Sequence, residues 1–174
     1  MANLTCDIRL NSKLTPEQRE RYQNIQTVQD ILKSSKTIAI VGLSTESTKA
    51  SNMVASYLQD EGFTIVPVHP KASEILGEKC YPSVADIPFP VDLVDIFRPP
   101  HEIPEIVEQS IKNGAKAIWT QLKIVNFEGA DLAQAHGLNV VLDKCIKMEH
   151  GRCCGMLHGA AMNTDRSSAK RRAR

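Results

Sequence analysis

Three short stretches of this 174-residue chain concentrate groups that can hold phosphate. The first is Gly42-Leu43-Ser44-Thr45-Glu46-Ser47-Thr48-Lys49-Ala50-Ser51-Asn52, directly after the apolar run Thr37 to Val41. A glycine at that point lets the chain turn and lets a ligand come close to backbone. Ser51 is placed to cap a following helix, whose free N–H groups would point back toward the loop. Helix N-termini lined by small hydroxyl residues bind phosphate. Neither GxGxxG nor GxxxxGK[ST] occurs here, so the dinucleotide and P-loop fingerprints are unmet. An ordinary strand-to-helix loop is the alternative reading of this stretch.

The second stretch is Val68-His69-Pro70-Lys71. A NAD-binding domain wants Asp or Glu at the end of its second strand, to hold the ribose hydroxyls. Here the acid is missing and Lys71 is present. A phosphorylated ribose would be repelled by the acid and attracted by the lysine. Coenzyme A and NADP both carry such a phosphate. The third stretch is Asp95-Ile96-Phe97-Arg98-Pro99-Pro100. Arg98 can meet a pyrophosphate or pair with an acid. Phe97 with the prolines can wall an apolar arm or pack in the core. Tyr81 offers a stacking face for a base, or simple loop packing. Trp119 ends another apolar run and could line the same cleft or belong to the core.

These loops need strands to converge. Three times a helical pattern ends in glycine and an apolar strand follows: 51–61, Gly62, 63–68; then 102–113, Gly114, 115–120; then 127–136, Gly137, 138–142. Glycine past a helix end takes the left-handed conformation cheaply. With Thr37–Val41 and Leu93–Phe97 this makes about five strands alternating with helices. The runs are apolar without polar alternation, as in parallel strands buried on both faces. The expected fold is α/β, a doubly wound parallel sheet in a single domain. Residues 1–23 read as a polar arm, 24–150 as the domain, and 151–174 as a basic, disordered tail.

The formal net charge is +1, but the balance is local. Residues 166–174 hold five cations and no acid, which leaves the rest of the chain at −4. Whole-chain charge therefore gives no case for a nucleic-acid surface. The tail alone could meet nucleic acid or an anionic surface; a solubilising role is the simpler reading. No run of about 18 apolar residues exists, so no membrane span is expected. Five cysteines, an odd number without a CxxC pair, and no signal-peptide pattern suit a reducing cytoplasm.

The stretch from about Lys36 to His150 resembles the small stand-alone CoA-binding proteins, and is similar to the CoA-binding domain of succinyl-CoA ligase alpha subunits. The residues that carry this are Ile40-Val41-Gly42-Leu43-Ser44, Pro67 to Lys71, Ile75 to Ser83, Val91 to Arg98 and Asp143 to His150. The resemblance implies a Rossmann-like domain holding coenzyme A across the three loops. By position, Gly42, Ser44, Ser51 and Lys71 would meet phosphate, and Phe97, Arg98 and Pro99 would flank the CoA chain. Leu43, Lys49, Asn52, His69, Pro70 and Tyr81 complete the candidate cofactor-binding set. Where family members usually carry Arg-Pro before the capping serine, this chain has Lys49-Ala50, which keeps a charge but loses the bidentate fork.

No HExxH, GxSxG or paired-carboxylate motif appears, and no metal spacing. The expected function is non-catalytic binding of coenzyme A or acyl-CoA. The alternative is an NADP-dependent oxidoreductase or redox-sensing nucleotide-binding protein.

Overall fold

The computed structural model describes residues 13–153. Five parallel strands form the central sheet: β1 (Thr37–Val41), β2 (Thr64–Val68), β5 (Leu93–Ile96), β6 (Ala117–Thr120) and β7 (Asn139–Val141). Their order is β2-β1-β5-β6-β7. A small antiparallel hairpin, β3 (Glu74–Ile75) and β4 (Glu78–Lys79), follows β2. Its turn places Leu76 and Gly77 at φ +55 and +76, the left-handed pair that a tight hairpin turn demands. The apolar and proline pattern did not reveal this hairpin.

Side chains alternate across each strand, so every strand feeds two cores. Ala39, Val41, Val94, Ile96 and Ile118 face one side with Ile106 and Val107. Ile38, Ile40, Leu93 and Trp119 face the other with Val54 and Leu58. Helices α2 (Ile25–Ser34) and α3 (Ala50–Asp60) cover the second face. Helices α4 (Ile103–Asn113) and α5 (Phe127–Ala135) cover the first. This is the doubly wound arrangement, with the crossover from β1 on one face and that from β5 on the other. The carboxyl ends of β1 and β5 lie side by side, and the loops leaving them part at that point. Such a switch point opens a crevice.

The three helix-ending glycines behave alike. Phe63 N–H donates to Leu58 O, Ala115 N–H to Ser110 O, and Leu138 N–H to Ala133 O, all at 3.0–3.1 Å. Each bond reaches five residues back and closes the helix, and the next strand starts one or two residues after the donor.

Where it is described, the N-terminal stretch read as an arm is helical and packed. Helix α1 (Pro16–Tyr22) has Pro16 in its first turn and a reciprocal Thr15–Gln18 capping box. Leu14 and Tyr22 join the first core, and Gln23 Nε2 donates to Leu142 O at 2.9 Å. At the other end, residues 146–153 are helical, which extends order past the expected boundary at 150. The five cations of residues 166–174 lie outside the described residues, whereas Arg152 is described and pairs with Glu149 at 2.8 Å. No described helix is long and apolar enough to cross a membrane.

Gly62 separates conformational cost from steric cost. Its φ is +93, and an added Cβ would meet nothing within 4 Å. Gly62→Ala should therefore lower stability by about 1–2 kcal/mol, the left-handed penalty alone. Urea unfolding would report this as a shift in midpoint with an unchanged slope.

Candidate functional site

Gly42 is the first residue past β1 and sits at φ +83. A Cβ there would lie 2.8 Å from Arg98 Cδ and 3.2 Å from Phe97 O. The loops after β1 and β5 thus touch because position 42 has no side chain. Leu43, next along, is fully buried in the second core, so it can offer a ligand only its backbone.

The loop then closes on its own side chains. Ser44 N–H donates to Ser51 Oγ at 3.0 Å, and Asn52 Nδ2 donates to Ser44 O at 2.8 Å. Ser44 Oγ in turn accepts from Glu46 N–H at 3.1 Å. Ser51 is not the helix cap that its position suggested. Lys49 holds the N-cap place without a side-chain bond, and Ser51 is the second helical residue. Its hydroxyl turns back to the loop because Ser44 N–H has no other acceptor. Both Ser51 and Asn52 are buried. Among the described residues nothing accepts from the backbone N–H groups of Ala50, Ser51 and Asn52, so they remain open at the start of α3. Lys49 is exposed, with its ammonium 3.9 Å from Glu46.

After β2, His69 organises its own loop. Its Nδ1 accepts from Lys71 N–H at 3.2 Å and Ala72 N–H at 3.1 Å. Two backbone donors on Nδ1 assign the ring proton to Nε2. Pro70 and Lys71 are exposed, and Lys71 has no ion pair among the described residues. Tyr81 is half-buried and lies edge-on to Phe89, with the Lys79 ammonium 5.1 Å from its ring. Tyr81 itself is not among the cleft's lining residues, whereas the following Pro82 and Ser83 are.

After β5, Arg98 forms a fork on Glu102, with Nε and Nη2 each 2.7 Å from a carboxylate oxygen. That bond raises the guanidinium pKa further and holds the Glu102 carboxyl below its usual range. Phe97 packs half-buried against the second core, and Pro99 is exposed at the start of a short 3₁₀ turn. Trp119 belongs wholly to the core, where its Nε1 donates to Lys144 O at 2.7 Å.

These elements enclose a cleft of about 390 Å³ at the switch point. Gly42, Ser44, His69, Pro70 and Arg98 line it. Leu43, Lys49, Ser51, Asn52, Lys71, Tyr81, Phe97 and Pro99 are not among its lining residues. The far wall comes from α4, through Glu105, Ile106 and Gln109. Glu105 and Gln109 look like ordinary helix surface in the sequence, and Ile106 like part of the helix's apolar face. Their only signal was spacing: residues 102, 105, 106 and 109 share one helical face.

One further group was not foreseen. Asp95 is fully buried in the middle strand, and its carboxylate accepts from Gln121 Nε2 at 2.8 and 3.0 Å. Burial pushes its pKa up to about 7, against the opposing pull of Gln121 and the Ile96 backbone.

With this geometry in view, comparisons with known proteins are specific. The family model for the CoA binding domain matches residues 36–151. The chain belongs to that family. It is 37% identical over 123 residues to the uncharacterised protein YneT of Bacillus subtilis, covering 71% of this chain and 91% of that one. A hypothetical protein from Pyrococcus horikoshii OT3, of solved structure, is 42% identical with a TM-score of 0.72, over 75% of this chain and 92% of that one. An ADP-forming acetate–CoA ligase of Archaeoglobus fulgidus is 35% identical over 123 residues, and the chain spans only 18% of its length.

Two substitutions test the site's construction. Ser51→Ala would leave Ser44 N–H without its acceptor, a loss of about 1–3 kcal/mol measurable by urea unfolding. Asp95→Asn tests the buried acid. An unfolded carboxyl near 3.8 loses its proton long before the folded one near 7. The stability this group contributes is complete below about pH 3.8 and lost as pH rises through 7. Asp95→Asn lacks that loss, so its stability relative to the native chain should climb between about pH 4 and 8.

Proposed function

We propose that this protein binds coenzyme A or an acyl-CoA, without catalysis, in the cleft between the β1, β2 and β5 loops. The pyrophosphate would lie over Gly42 and the open N–H groups of Ala50, Ser51 and Asn52. Lys71 would meet the phosphate on the ribose. The pantetheine arm would run past Phe97 and Pro99 along the carboxyl edge of the sheet. The observation that carries this reading is the start of α3, where the backbone N–H groups of Ala50, Ser51 and Asn52 have no acceptor among the described residues, beside a loop whose Gly42 carries no side chain. Anions are favoured there by unpaired donors and by the helix dipole. The family to which the chain belongs supports the same ligand.

Cys80, His69 and His150 each have a structural task that supports a non-catalytic reading. Cys80 is buried, and that burial raises its thiol pKa. A buried, protonated thiol is inert. His69 spends its Nδ1 on two backbone donors. His150 lies 3.0 Å from the Tyr57 hydroxyl and edge-on to Phe63.

Coenzyme A should raise the melting temperature by mass action, and NADPH should not. The reverse outcome would replace the CoA reading with the NADP one. Calorimetric titration then isolates Lys71. Lys71→Glu should weaken coenzyme A by at least about tenfold, or 1.4 kcal/mol. Dephospho-CoA, which lacks the ribose 3′-phosphate, should show little of that loss. Equal affinity of both proteins for coenzyme A would leave Lys71 with no part in the site.

A further inference from the structure

The proposed ligand is a polyanion, yet its cleft is walled by carboxylates. Arg98 neutralises Glu102. Glu105 lines the cleft with no cation in ion-pair reach among the described residues. An uncompensated acid beside a polyanion weakens binding unless it has a task. Its hydrogen-bond partner among the described residues is Gln109, four residues on along α4, whose Nε2 donates to Glu105 Oε1 at 3.3 Å. Residues at this spacing meet on one helix face.

The pairing orients the amide. An ionised carboxylate only accepts hydrogen bonds, so Gln109 must turn its NH₂ toward it. The amide oxygen and the second N–H are then free, and Gln109 is half-buried at the cleft wall. One acceptor beside one donor is the complement of an adenine edge, where N6–H donates and a ring nitrogen accepts. Glutamine recognises adenine bidentately in this way. The rest of the wall suits a base: Val68, Pro82 and Ile106 are apolar. From Glu102 to Gln109 the helix advances about 10 Å, at about 1.5 Å per residue. The amide therefore lies about two helical turns from Glu102 on the α4 wall of the cleft.

We infer that Gln109, oriented by Glu105, reads the purine base and selects adenine. This rests on the CoA reading above and adds the means of base selection to it. Gln109 is the contact residue. Glu105 is a positioning residue that acts through it.

The probe is 1,N6-etheno-CoA, in which a two-carbon bridge removes the N6 donor and occupies N1 while the phosphates and pantetheine are kept. Titration of the full chain should give coenzyme A about a tenfold tighter affinity than the etheno analogue. Gln109→Leu should bring coenzyme A down to the level of the analogue and leave the analogue unchanged. Glu105→Gln should narrow the ratio several-fold, because a neutral amide neighbour accepts either orientation of Gln109. A purely structural effect of either change would weaken both ligands alike and leave the ratio intact. Equal binding of both ligands by the native chain would overturn base reading while leaving CoA binding in place. A ratio that survives Gln109→Leu would also overturn it, since exclusion of the bridge would then be by shape. Failure of the native chain to bind coenzyme A at all would instead bring down the CoA reading and this inference with it.

Discussion

Parallel pairing is the constraint from which the rest follows. Strands that run the same way need crossovers, and crossovers in one direction bring every carboxyl end to one edge. Here β1 leaves to α3 on one face and β5 leaves to α4 on the other. The two loops must part between those strands, and the parting is the cleft. The burial of both sheet faces holds it in place. Ile38 and Ile40 point to one core, Ala39 and Val41 to the other, and a shift of one residue would exchange them. Gly42 therefore stands at a fixed height beside Arg98, and its missing side chain is what lets the loops touch.

The polar groups at this edge are mostly committed to one another. Ser51 and Asn52 hold the loop that begins at Ser44. His69 holds the loop that contains Lys71. Arg98 is tied to Glu102 by a bidentate bond. Such ties hold the loops of the site in place, so less ordering is left for a ligand to impose. They also change the electrostatic picture drawn from composition. Of Lys49, Lys71 and Arg98, Lys71 alone stands without an acid in ion-pair reach among the described residues. Binding of a polyanion would then lean on backbone N–H groups and Lys71 more than on a cluster of cations.

Asp95 sits behind this edge in the central strand, bonded through its side chain to Gln121 rather than to a cation. A buried acid with a neutral partner is held at the expense of stability once it ionises. Its place between the β1 and β6 neighbours Ile40 and Trp119 ties the β5 strand to the loop after β6. The Bacillus subtilis and Pyrococcus horikoshii relatives are shorter chains, of which this chain covers 91% and 92%. In the ligase relative the matching stretch is a small part of a much longer chain.

Local chemistry determined much of this in the linear sequence. Apolar runs closed by Gly62, Gly114 and Gly137 marked strands and helix ends, because burial and the left-handed conformation are local demands. Residue types also marked Gly42, His69, Lys71 and Arg98, since a missing acid and a turn glycine can be read one position at a time. Tertiary structure decided which side chains were free to act. Whether Ser51 caps a helix or braces a loop depends on where Ser44 N–H arrives. Whether Arg98 faces a ligand or Glu102 depends on the 3₁₀ turn after Pro99. Glu105 and Gln109 enter the cleft wall only because α4 packs beside β1 and β2 loops far away in the chain. Periodicity announces that a helix has a polar face. The packing of the other elements determines what that face meets.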